Sequence, residues 1–73
     1  MARKVSVFHD GWEHLETRWV SGPVGFAVTV RPIGEPWQVL SYHVSRREAV
    51  RRMNQSLVGM AEAQIEPVVT EKY

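Results

Sequence analysis

The residues that could do chemistry sit mostly near the start of the chain. His9, His14 and His43, with Asp10, Glu13 or Glu16 as carboxylate neighbours, are of the types that ligate zinc or move protons. No metal-ligand spacing links them, and on a strand reading His14 falls near Arg31 while His43 falls near Gly25, at different places on a sheet. Neither a metal nor a cofactor is expected. Nucleophilic catalysis is not signalled either. The chain has no cysteine, no serine stands in a glycine-bracketed elbow, and Ser41 with His43 is a pair of neighbours on one strand face. Gly22 and Gly25 precede a strand, not a helix, so they do not form a phosphate-binding loop. A chain this short leaves little room for a substrate pocket, so neither an enzyme nor a small-molecule substrate is expected.

Two groups of residues suggest recognition instead. On the side of the predicted sheet turned away from the helix, Trp37 and Arg31 are cross-strand neighbours, with Arg18, His14 and His43 around them. Tryptophan and arginine are the types most enriched at binding hot spots. The second group is Arg46, Arg47, Arg51 and Arg52, joined by Arg3 and Lys4. It reads as a solvated helix face or as a footprint for phosphates.

The element that positions the rest is a helix. Ser45-Arg46-Arg47-Glu48 has the pattern of a capping box, in which serine accepts a backbone N–H three residues on. Ala49, Val50, Met53, Leu57, Met60 and Ala61 then recur at steps of three and four, one stripe of a helical wheel. Glu48 stands four residues before Arg52, the favourable order for a helix ion pair. The spacing predicts a helix over 46–58, with continuation to 64 set against Gly59, a residue that disfavours helix interiors and favours helix ends.

Ahead of it the signals are those of strands. Residues 3–9 alternate, and Asp10-Gly11 marks a hairpin. Residues 12–20 fit a strand facing inward through Leu15, Thr17 and Trp19, or a helical stripe of Trp12, Leu15 and Trp19; Thr, Trp and Val at the end favour the strand. A strict two-residue turn would send Val5 and Val7 outward, whereas one extra residue at Gly11 or Trp12 turns both inward. Residues 25–31 form the clearest strand, with Phe26, Val28 and Val30 on one face. It pairs with 37–44 so that Val30 meets Gln38, Val28 meets Leu40 and Phe26 meets Tyr42. Residues 65–73 read as an edge strand or tail, since Pro67 lacks a donor. The expected fold is α+β in two layers, an antiparallel meander of three to four strands covered on one face by a single helix, with the other face open.

The totals agree with a single small globular domain over 1–73. Hydrophobic residues make up 44% and charged residues 23%, with a net charge of +1, so neither disorder nor an obligatory anionic partner follows. So small a core makes a homodimer plausible. There is no signal-peptide pattern and no apolar run that would span a bilayer. The lack of cysteine suits a reducing cytoplasm.

A strand pair followed at once by a helix opening Ser-Arg-Arg-Glu-Ala, with Trp37 and Glu48-Ala49, resembles the plant ethylene-response-factor DNA-binding domain and the arm-type DNA-binding domain of tyrosine integrases over residues 25–58. That resemblance implies a three-stranded sheet laid in the major groove. Few basic residues stand on the outward parity here beyond Arg18 and Arg31, so no contact residues are carried over. The expected function is a non-enzymatic interaction module that binds a protein partner or a second copy through the open sheet face or a sheet edge. A regulator or inhibitor of a larger machine, such as one encoded by a mobile element, would fit. The alternative is DNA or RNA binding by the outer face and the arginines at the helix start.

Overall fold

The computed structural model of the chain describes residues 2–56 and 60–71. The elements run β1 (Arg3–His9), β2 (Glu13–Val20), β3 (Phe26–Pro32), β4 (Gln38–His43), α1 (Arg46–Gln55), β5 (Met60–Pro67) and β6 (Val69–Thr70). The strands pair antiparallel in two three-stranded sheets, in the orders β2-β1-β6 and β4-β3-β5. With α1 covering one face of the second sheet, this is the α+β helix-on-sheet arrangement the sequence predicts, built from more strands than expected.

The helix starts where its capping signal places it. Ser45 is extended (φ −121°, ψ 155°), and its side chain accepts the Glu48 N–H at 3.2 Å, satisfying one of the donors a helix start leaves over. Ala49 is buried against Val28 and Val30, with Met53, Phe26, Leu40, Ala63 and Ile65 packed around them. At the far end the Ser56 N–H donates to the Met53 carbonyl at 3.0 Å. Arg52 does not meet Glu48; its Nη1 donates to Ser56 Oγ at 2.9 Å.

The predicted stretch at Leu57, Val58 and Gly59 lies outside the described residues. Continuation of the helix to 64 is overturned, because Met60–Pro67 is a strand. Ala63 and Ile65 face the helix while Gln64 and Glu66 point to the other side, a period of two that suits a strand.

The C-terminal segment supplies an edge strand, as expected, and does so for both sheets. β5 pairs along the whole of β3, from Pro67 opposite Phe26 to Met60 opposite Pro32. The chain then crosses to the first sheet, where Val69 and Thr70 pair with Ser6 and Val5. Pro67 closes an edge strand at the crossing, where its missing donor is harmless. Val68 N–H reaches the Gly25 carbonyl at 3.0 Å and Glu71 N–H the Lys4 carbonyl at 2.9 Å.

The meander is the other correction. β2 pairs with β1 alone, and residues 21–25 carry the chain to the second sheet. Along β3, Val28 and Val30 face the helix while Ala27 and Thr29 face the opposite way, yet all four are buried. The face expected to be open is therefore closed by the first sheet. Val5 and Val7 of β1 are buried as well, inward as the extra-residue hairpin requires. That extra residue is Trp12: Asp10 (φ 53°) and Gly11 (φ 83°) form the turn, Trp12 N–H donates to the His9 carbonyl at 3.2 Å, and His9 pairs with Glu13.

Candidate functional site

Two bulges decide which side chains face which way. In β2, Val7 pairs with Glu16 while Phe8 pairs with His14, so Leu15 is an extra residue. Past it the strand is turned over, because a shift of one residue exchanges the two faces. Glu16 and Arg18 therefore point between the sheets, and Thr17 and Trp19 point out. In β4, Val30 pairs with Gln38 as predicted, but Val28 meets Ser41 and Phe26 meets His43, leaving Leu40 extra. Tyr42 is thereby turned away from the helix and toward the first sheet.

The residues predicted to form one recognition face do not come together: the bulges turn Arg18 and His43, while Arg31 and Trp37 take partners elsewhere. Arg31 is paired through Nε with Glu62 Oε2 at 3.1 Å. Trp37 does not carry Arg31 but stacks on His9, with ring centroids 4.2 Å apart and planes 22° from parallel. Arg18 lies over the Tyr42 ring, 5.2 Å from its centroid. His14 is on the outside of the first sheet, 2.6 Å from Thr17 Oγ1 and edge-on to Phe8. His43 Nε2 lies 2.8 Å from Ser41 Oγ, and among the described residues no carboxylate bonds its other ring nitrogen.

Between the sheets, polar groups meet at two places. The Tyr42 hydroxyl donates to Glu16 Oε2 at 2.7 Å. Burial, followed by the hydrogen bond and charge of Glu16, pushes the Tyr42 phenol well above its ordinary range, while Arg18 pulls it the other way.

The second place is the end of the β1–β2 hairpin. His9 Nε2 is 3.2 Å from Asp10 Oδ2, and His9 Nδ1 is 3.5 Å from Glu66 Oε2. Glu66 is buried and accepts the Asp10 N–H at 3.2 Å. Gln64 Nε2 donates to Asp10 Oδ1 at 2.8 Å and also to Glu66 Oε2. Trp37 closes one face of the His9 ring. His9, Asp10 and Glu66 each offer a ligand atom within 4.8 Å of the others. The sequence does place His9 beside Asp10, but Glu66 enters through the β3–β5 pairing and no local signal announces it.

The surface the structure leaves uncovered is the outer side of the first sheet. By register Trp19 stands beside Lys4, Thr17 beside Ser6 and Val69, and His14 beside Phe8. Trp19 is 60% exposed and Val69 48% exposed. Ser6 is buried beneath them, within 2.8 Å of Thr17 Oγ1 and donating to Glu71 at 2.6 Å. Beyond the hairpin turn Trp12 is also largely exposed. Arg46, Arg47 and Arg51 are exposed on α1, beyond the second sheet and so on the opposite side of the molecule.

Comparison with protein families, with curated proteins and with solved structures gave no match. Among the described residues no helix is long and apolar enough to cross a membrane.

Proposed function

We propose that the chain is a small non-enzymatic interaction module that binds a protein partner through the outer face of the β2-β1-β6 sheet. The observation that carries this reading is Trp19, 60% exposed near the end of the edge strand β2, on a sheet face where Ser6 bonds both Thr17 and Glu71. A large aromatic on a strand loses little side-chain freedom on binding, and tryptophan is among the residue types most enriched at protein contacts. Val69 on β6 adds a second exposed apolar side chain to the same face, and Lys4 with Glu71 supplies charges of both signs. The partner is a different protein or a second copy; light scattering across concentration separates the two. Trp19→Ser is expected to leave the chain folded, as its circular dichroism would show, and to abolish binding. Equal binding by the variant would remove the basis of the reading.

A second reading is nucleic-acid binding by Arg46, Arg47 and Arg51, favoured by their shared exposure on α1. It cannot also use the exposed sheet face, since helix and face are on opposite sides. Affinity through several phosphates falls steeply with salt, whereas a contact centred on Trp19 changes little.

A further inference from the structure

We propose that His9, Asp10 and Glu66 form a binding site for a divalent transition-metal ion, of which zinc is the reference case, that fastens the hairpin end of the first sheet to β5 of the second. The two nitrogens of the His9 ring each face a carboxylate oxygen, at 3.2 Å for Asp10 and 3.5 Å for Glu66. A neutral imidazole has one N–H and one lone pair, and the lone pair is what a metal ion takes. The geometry singles out Nδ1, which is buried and makes no hydrogen bond.

Its 3.5 Å separation from Glu66 Oε2 is long for a hydrogen bond. It is close to the spacing of two ligands on one tetrahedral ion, which at about 2.0–2.1 Å from the metal stand about 3.4 Å apart. Glu66 is a buried carboxylate beside a second one, facing a backbone N–H and the Gln64 amide. Buried carboxylates are held by pairing or by coordinating a metal ion. Asp10 sits at the exposed hairpin turn, where its carboxylate has room to swing onto an ion held by the other two. Gln64 donates to both carboxylates, and a half-turn of its amide presents Oε1 as a fourth ligand. Mixed imidazole and carboxylate donors suit zinc and manganese better than calcium or magnesium. A cysteine-free domain of this size gains most from such a fastening.

The test is calorimetric titration of the intact chain with zinc chloride and manganese chloride, with magnesium and calcium as controls, followed in parallel by tryptophan fluorescence, to which Trp37, stacked on the His9 ring, contributes along with Trp12 and Trp19. The expected result is saturable 1:1 binding of zinc or manganese, a fluorescence change with the same midpoint and a raised melting temperature. His9→Gln and Asp10→Asn should each weaken binding by at least about tenfold, the scale on which even supporting residues of metal sites act. His14→Gln and His43→Gln should bind as the parent does. Asp10 is exposed, so its variant keeps the test valid should Glu66→Gln fail to fold. Absence of saturable binding, or binding that survives His9→Gln and is lost with His14→Gln or His43→Gln, overturns the proposal.

Discussion

The Tyr42 hydroxyl, held 2.7 Å from Glu16, joins β4 to β2 where no backbone ladder does. Tyr42→Phe is expected to destabilise the fold by about 1 kcal/mol, since a carboxylate acceptor loses its donor at a partly buried site; denaturant unfolding measures it. The same pair has a pH signature. The folded state holds the phenol protonated above its ordinary value of about 10, so its contribution is complete below that pH and is lost as pH climbs toward the raised value. The parent should therefore lose stability faster than Tyr42→Phe above pH of about 10, measured on the two proteins in one buffer series. Parallel pH curves would mean that the phenol is not held by Glu16.

At the scale of elements, what could be read in advance and what could not divide at the bulges. The Ser45 signal and the Ala49–Met53 stripe determine the helix start because both are local. The pairing of Val30 with Gln38 is equally direct, since the intervening loop sets it. One added residue at Leu15 and another at Leu40 are not marked by glycine or proline, and each reverses every side chain beyond it. That is why Trp19 is outside and Tyr42 inside; the Trp37 and Arg31 pair lies before the Leu40 bulge and is undone instead by partners from elsewhere, His9 for Trp37 and Glu62 for Arg31. The His9, Asp10 and Glu66 cluster was half legible, because two members adjoin in sequence and the third arrives through long-range pairing. Two substitutions test the helix layer. Ser45→Ala is expected to destabilise by about 1 kcal/mol through the lost cap. Ala49→Leu should cost about 1–3 kcal/mol, as extra volume is forced between α1 and β3. Thermal melts of both variants check this, and an unchanged Ala49→Leu melt would place that helix face outside the core.

Over the whole molecule, β5 and β6 belong to different sheets yet are separated by Val68 alone, so neither sheet can open without pulling on the other. Unfolding is expected to be one cooperative transition, with far-UV dichroism and tryptophan fluorescence changing together; two separated transitions would mean that the sheets are independent. The same layering sets where a partner can dock. One side is taken by the helix with its arginines, the middle is filled, and the outer face of the first sheet carries the exposed tryptophan. The most direct measurement is affinity capture with three versions of the chain in parallel: the parent, Trp19→Ser, and the double variant Arg47→Ala with Arg51→Ala. Proteins held by the parent and by the arginine variant but released by Trp19→Ser are the expected result. Retention of nuclease-sensitive material by the parent and by Trp19→Ser, lost when the two arginines are removed, would contradict it and move the function to the helix.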